Sequence, residues 1–302
     1  MKLPNLIIGG APKCATSSIF NWLVDHPDVC GSNPKETFFL MDQDHPLCIP
    51  NNNYHDCGLK GYEKYFHNAS KNYICDATTH YLYQQTAVKI LSELPSIPNV
   101  IFVLRKPSQR VYSSYQFTRN NRARLNENLT FSEYVKLIQT KTLEEFRMYC
   151  NHMGSSYVLY NDINYSCYVN YLKKWIDVFP SQNLHILLFE DLIQDPRRFM
   201  KSLCHKIGIY SDFYDSYSFE HKNKTYRVKN LSLHRQVQNL SRFVPSTFKE
   251  LARNVYISIQ TTQTNSKQKD EDKQTLTELD SYFEPFNREL AKCFNLNLSS
   301  WE

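Results

Sequence analysis

Residues 7–20 read IIGGAPKCATSSIF: an apolar strand-like run, a turn of small residues, and a helix-like stretch from Ser18. A loop at a helix N-terminus presents backbone N–H groups to a phosphate-like anion, and the hydroxyls of Thr16, Ser17 and Ser18 would add donors to the same site. A triphosphate-binding loop of the form G-x-x-x-x-G-K-[ST], counted from Gly10, asks for Gly, Lys and Ser/Thr where this chain has Ala15, Thr16 and Ser17. Only the last position fits. The lysine stands earlier, at Lys13, where it would reach a different atom of the bound group, nearer the transferred end. The loop is therefore expected to hold an anion other than the triphosphate of ATP or GTP.

A second stretch repeats the pattern. In NVIFVLRKPSQRVYSSYQF, residues 99–117, Arg105 sits at the carboxyl end of an apolar run and Ser113 falls about two turns into the helix that follows. An arginine and a hydroxyl so placed suit a second phosphate. Two anion sites at the carboxyl edge of one sheet suggest a nucleotide phosphorylated at two places.

The elements that must position these groups are short. Buried strands are expected at Leu3–Ile8, Asn99–Leu104 and Leu184–Phe189, each followed by helix-like sequence; after the third, Asp195 is the expected N-cap and Pro196 the first helical residue. Strand, loop and helix in repetition imply a parallel sheet covered by helices, with ligands at the carboxyl ends of the strands. The polar run 260–275 reads as an exposed loop or a fraying helix end. It precedes an amphipathic stretch, Leu276–Phe294, that Pro285 should break or kink.

Composition narrows the class. With 302 residues, 41% of them hydrophobic and 22% charged, the chain suits one large domain, 1–302. A net charge of +5 is too weak to indicate a nucleic-acid partner but is compatible with anionic ligands. The nine cysteines form no C-x-x-C pair, so no structural metal is expected; Cys48 with Cys57 and Cys150 with Cys167 could form local disulfides, but reduced thiols are the simpler reading. No apolar run approaches the roughly 18 residues of a membrane span, and the opening MKLPNLIIGG carries no signal peptide. That start suits a cytoplasmic protein; a Golgi-lumenal catalytic domain separated from its anchor would open the same way.

GAPKCATSSIF resembles the phosphosulfate-binding loop of sulfotransferases, and LRKPSQRVYSSYQF resembles their 3′-phosphate motif, which runs Arg, x, Pro, x, x, Arg, then Ser and an aromatic. The similarity is closest to the carbohydrate branch, of heparan and chondroitin type, and extends through LLFEDLIQDP and EPFNRELAKCF. It implies a P-loop-like three-layer α/β fold and 3′-phosphoadenosine 5′-phosphosulfate (PAPS, leaving PAP) as donor, without a metal. By that resemblance Lys13 stabilises charge on the leaving phosphate. The loop Cys14, Ala15, Thr16, Ser17 and Ser18 holds the 5′-phosphate, and Arg105 and Ser113 the 3′-phosphate. Ala15 departs from the family's usual Gly, and alanine tolerates positive φ poorly.

The acceptor must lose a proton as it attacks, so a general base is required. KETFF resembles the segment that carries the family's catalytic glutamate, which makes Glu36 the candidate. His80, in ICDATTHYLY, is the rival base, with Asp76 and Thr78 as candidate substrate contacts; the lysine or proline usual in that segment is replaced by Asp76, Ala77, Thr78 and Thr79. The basic run 221–235 resembles by position a late loop that folds over the nucleotide, which gives Tyr226, Arg227 and Lys229 as cofactor contacts. Arg119, Arg122 and Arg124 form a cluster that could receive an anionic glycan, although such clusters are usually solvated faces; the tyrosines from Tyr149 to Tyr171 suit core packing. The expected activity is sulfuryl transfer to a hydroxyl or amine of a small molecule or carbohydrate. The alternatives are a P-loop phosphotransferase, which lacks its lysine here, and a noncatalytic nucleotide- or glycan-binding protein on the same fold.

Overall fold

A computed structural model of the chain describes residues 2–66, 71–219, 237 and 266–302, with side chains of the last segment described from residue 270. Along the chain these form β1 (Leu6–Gly10), α1 (Thr16–Asp25), β2 (Val29–Gly31), α2 (Tyr54–Tyr62), β3 (Tyr73–Asp76), α3 (Gln85–Ser92) and β4 (Asn99–Leu104). There follow α4 (Pro107–Gln116), α5 (Phe131–Thr140), α6 (Leu143–Arg147), α7 (Met153–Tyr160), α8 (Asp162–Ser166) and α9 (Val169–Ile176). The chain ends with β5 (Leu184–Leu188), α10 (Phe189–Gln194), α11 (Pro196–Ile207) and α12 (Ser266–Phe294). Packing divides the described residues into two compact units, one from 2–106, 167–219 and 286–302, the other from 107–166 and 266–285.

The first unit is built on a five-stranded sheet in the order β2-β3-β1-β4-β5, with every pairing parallel. This is the α/β, P-loop-like arrangement expected. β1 and β4 are buried almost throughout, as strands covered by helices on both faces must be, which is why they read as unbroken apolar runs. β4 has the expected bounds, whereas β1 starts three residues later than Leu3 and extends to Gly10, because Gly10 still pairs with Phe102 across a bulge. Phe102 in turn meets Trp175 of α9 edge-to-face at 4.9 Å, and the Trp175 indole N–H donates to the Leu82 carbonyl at 3.1 Å. α11 begins as anticipated: Asp195 accepts from the Arg198 N–H at 3.0 Å and Pro196 occupies the first turn.

Of the two readings of the polar run, the helix end holds for its described part: residues 266–275 open α12, which includes Pro285. The order there has a local cause in the second unit: Asp272 and Thr275 are buried, and Asp272 accepts from the Tyr112 hydroxyl at 2.9 Å while Asp280 accepts from Ser108. The buried face of these first turns is thus partly polar and shows no apolar period, which begins only at Leu279 and Phe283.

The second unit centres on Tyr115, Phe131, Tyr134 and Phe146, all buried. Within it lies a buried ion pair. Arg110, the second arginine of the 3′-phosphate-like motif, donates from Nη2 to Asp162 Oδ1 at 3.0 Å and to the Asp162 carbonyl at 2.9 Å, and from Nε to Ser166 at 2.9 Å. The other Asp162 oxygen accepts from the Tyr134 hydroxyl at 2.7 Å. Removing one partner of such a pair strands a buried charge, at a cost of about 3–5 kcal/mol. Arg110→Met is accordingly expected to destabilise the protein by that amount in urea unfolding; a loss below about 1 kcal/mol would mean the pair contributes no net stability.

Candidate active site

At the carboxyl end of β1 the backbone turns sharply. Lys13 and Ala15 both have left-handed backbone angles, φ 73° and 59°, and the Ala11 N–H returns to the Val103 carbonyl at 2.9 Å. Ala15 caps α1 through its carbonyl, which accepts from Ser18 at 2.9 Å and Ile19 at 3.2 Å, but no side chain caps the helix. The Thr16 and Ser17 N–H groups therefore have no backbone acceptor among the described residues, at the positive end of the helix dipole. That concave run of donors fits a phosphate oxyanion. Thr16 and Ser18 are largely buried, Lys13 and Ser17 half-buried, and Cys14 fully buried, so Cys14 has only its backbone to offer a ligand.

Arg105, at the end of β4, is held from several sides. The Tyr168 hydroxyl donates to its carbonyl at 2.9 Å, its guanidinium lies over the Phe189 ring at 4.5 Å, and Nη1 approaches the Lys13 carbonyl at 3.4 Å. Glu190 secures the next residue by accepting from the Lys106 N–H at 3.0 Å, and is itself anchored by the Trp301 indole at 2.8 Å. None of Tyr168, Phe189, Glu190 and Trp301 carries a local sequence signal of such a role. Ser113 is half-buried on α4 in the second unit.

On the other side of the loop, Gly10 has no room for a side chain: a Cβ there would stand 2.9 Å from Leu82 Cβ and 3.2 Å from the Thr79 carbonyl. The segment 79–82 can close on the loop only because residue 10 is glycine. From that segment the Thr79 hydroxyl donates to Glu36 Oε1 at 2.9 Å, and the Lys35 ammonium reaches the same oxygen at 3.3 Å while bonding the Ala77 carbonyl at 3.1 Å. The Glu36 side chain is 32% exposed. Its burial alone would raise the carboxyl, but the Lys35 and His80 charges and the Thr79 hydroxyl outweigh that and hold it below the ordinary glutamate range. Glu36 is therefore ionised at neutral pH.

The structure thus gathers the anion loop, Arg105, Glu36 and His80 into the first unit. His80 is nearly buried, its ring 6.0 Å from those of His45 and Tyr83 and 6.4 Å from Phe38. Asp76 and Thr78, taken from the sequence as candidate substrate contacts, have no exposed surface and are hydrogen-bonded internally. Tyr226, Arg227 and Lys229 lie outside the described residues. In the arginine cluster, Arg119 donates to the Glu127 carbonyl, Arg124 to Ser155 at 3.2 Å, and Arg122 lies over Phe117. No disulfide joins any of the nine cysteines, and among the described residues no group of three or more His, Cys, Asp or Glu could hold a metal. No helix among them is long and apolar enough to cross a membrane.

These features belong to a known class: the family model of the sulfotransferase domain matches residues 3–298, and the chain is a member of the sulfotransferase family. Among curated relatives, the human bifunctional heparan sulfate N-deacetylase/N-sulfotransferase 3 is 24% identical over 213 residues, an alignment covering 69% of this chain and 22% of that protein. The human bifunctional heparan sulfate N-deacetylase/N-sulfotransferase 2 is 26% identical over 211 residues, again 69% and 22%. The chain thus spans under a quarter of the length of these relatives. A sulfotransferase from Alicyclobacillus acidocaldarius shares the fold, with a TM-score of 0.63 at 20% identity over 100% of this chain and 99% of that one.

The left-handed alanine gives a test of the loop. An L-residue in that region costs roughly 1–2 kcal/mol, and glycine's extra freedom in the unfolded chain takes back about 0.4–1 kcal/mol. Ala15→Gly should therefore raise stability by about 0.5–1 kcal/mol in denaturant titration; a decrease would show that residue 15 does not hold the left-handed conformation.

Proposed function

We propose that the protein transfers a sulfuryl group from 3′-phosphoadenosine 5′-phosphosulfate to a hydroxyl or amine of a carbohydrate or small molecule, with Glu36 as general base. The observation that carries this is an ionised glutamate held, through Thr79, against the glycine turn of an anion-binding loop. When bound, the donor supplies a sulfuryl group attached to a phosphate leaving group. The Thr16 and Ser17 N–H groups and the hydroxyls of Thr16, Ser17 and Ser18 hold the 5′-phosphate, and Lys13 offsets the charge that grows on it as the bond to sulfur breaks. Arg105 takes the 3′-phosphate; Ser113, Tyr226, Arg227 and Lys229 are the further cofactor contacts proposed from the family resemblance. Cations and backbone dipoles suffice in this scheme, and no metal is invoked.

Glu36 accepts the proton that the attacking hydroxyl or amine gives up as its oxygen or nitrogen bonds to sulfur. His80 is assigned the lesser role of setting the charge near Glu36, since its ring is almost wholly enclosed. A carbohydrate acceptor is favoured by the names of the heparan sulfate relatives.

Two measurements test the scheme. Isothermal titration with 3′,5′-adenosine bisphosphate in EDTA should show micromolar binding that Arg105→Ala weakens by at least about tenfold, or about 1.4 kcal/mol. Binding of ATP only, and only with magnesium, would return the loop to the phosphotransferases. Glu36→Gln should leave that affinity intact while lowering sulfuryl transfer about 10²–10⁴-fold. Because the folded pKa of Glu36 is depressed, its carboxylate is fully present above the ordinary glutamate range and is lost only as pH falls through the lower folded value. The acid limb of kcat/KM should therefore fall below the pH at which a free glutamate titrates; an acid limb above pH 6 would assign it to another group.

A further inference from the structure

Asp76 closes β3 with its carboxylate wholly buried, and every hydrogen-bond donor to it is neutral. Oδ1 accepts from the Thr78 N–H at 2.8 Å and the Thr78 hydroxyl at 2.7 Å; Oδ2 accepts from the hydroxyls of Thr37 at 2.7 Å, Tyr62 at 2.5 Å and Tyr81 at 3.1 Å. As the shared acceptor, the Asp76 carboxyl group draws the protons of the Thr37, Thr78 and Tyr62 hydroxyls, while the Tyr81 hydroxyl stands between Asp76 at 3.1 Å and the Thr37 hydroxyl at 2.9 Å. Thr78 accepts from the Thr37 N–H at 2.8 Å and the Phe38 N–H at 3.3 Å. Thr37 accepts from the Phe39 N–H, and Tyr81 from the Leu40 N–H, both at 3.3 Å. One buried carboxyl group thereby gathers hydroxyls that fasten the backbone of residues 37–40 to that of residues 76–81.

The groups that fix Glu36 hang from this network. Glu36 immediately precedes Thr37, Thr79 immediately follows Thr78, and Ala77, whose carbonyl anchors the Lys35 ammonium, lies between Asp76 and Thr78. We propose that Asp76 is the positioning residue for Glu36, its buried carboxyl group directing the Thr37 and Thr78 hydroxyls so that the Glu36 carboxylate stands against Thr79 and Lys35. The functional meaning of this brace rests on the reading of Glu36 as general base. Asp76 itself touches no substrate.

The test reads Glu36 directly in the full-length chain, by NMR titration of ¹³C-labelled glutamate carboxyls, with Glu36→Gln assigning the signal. Among the described residues the charged and titratable groups facing the pair are Lys35 and His80 at Glu36, and Tyr62, Tyr65, Tyr81 and Cys75 at Asp76. In the wild type Glu36 should titrate below an ordinary glutamate. Thr37→Val, which keeps the shape and removes the hydroxyl, and Asp76→Asn should each move that titration upward by at least about 0.5 pH unit, while Thr37→Ser leaves it in place. A folded Thr37→Val protein with an unmoved Glu36 titration would overturn the proposal, even if its melting temperature fell, since lost stability alone marks a merely structural role. If Asp76→Asn does not fold, the Thr37 pair decides. A shifted titration combined with full sulfuryl transfer by Glu36→Gln would uphold the brace and remove Glu36 as the base.

Discussion

The site depends on a contact made possible by a missing side chain. At Gly10 the first strand of the sheet ends against Leu82 and the Thr79 carbonyl with no space for even a methyl group. Interiors are packed at crystal-like density, so an added carbon there would have to displace either the loop or the 79–82 segment. Because neither is displaced, the N-terminus of α1, with its open N–H groups, and the threonine that holds Glu36 form one packed body. The distance between the two halves of the site is thus set by backbone packing rather than by long flexible side chains.

The parallel sheet explains why such a contact can arise at all. In the order β2-β3-β1-β4-β5 every strand delivers its carboxyl end to the same edge, so the turn after β1 lies between those after β3 and β4, although these follow it by 66 and 94 residues in sequence, from Gly10 to Asp76 and to Leu104. β4 brings Arg105 there, and the surrounding residues limit where its guanidinium can go: Tyr168 holds its backbone, Phe189 supports its planar face, and Glu190, tied to Trp301 near the chain's end, holds the residue after it. An arginine stacked on a ring loses less freedom on binding a planar oxyanion than one waving in solvent, which favours affinity without additional contacts.

What could be read from sequence alone follows a physical division. Features made by neighbours in the chain were legible: the apolar run of β4, the small-residue turn before α1, and the Asp195-Pro196 start of α11 all have local causes. β2 and β3 were not, because one is three residues long and the other ends in a charged residue whose burial depends on hydroxyls from Thr37, Tyr62 and Tyr81. The polar start of α12 left loop and helix end both open for a related reason, since its buried face includes Asp272 and Thr275 and has no apolar period to detect. Within the candidate site, Lys13, Glu36 and Arg105 were singled out through motifs. Lys35, Thr79 and Tyr168 were not, because their placement rests on partners brought close by folding: Ala77 for Lys35, Glu36 for Thr79, and for Tyr168 Arg105, 63 residues away.

Asp76 and Glu36 show how one residue chemistry is given two uses by its surroundings. Asp76 is wholly enclosed; burial pushes its carboxyl up, and the hydrogen bonds of five neutral donors act against that rise without reversing it. Glu36 has a third of its side chain open, a cation at 3.3 Å and a hydroxyl at 2.9 Å, and its carboxyl lies below the ordinary value. A group meant to exchange protons must be reachable and must present a free lone pair, whereas a group meant to orient its neighbours works best when all its lone pairs are spent. Among the described residues both side-chain hydrogen bonds of Glu36 fall on Oε1, so in the proposed scheme Oε2 is the oxygen that faces an acceptor. Asp76 fits the second requirement. The contrast between them follows from burial, hydrogen bonding and, for Glu36, the neighbouring Lys35 charge.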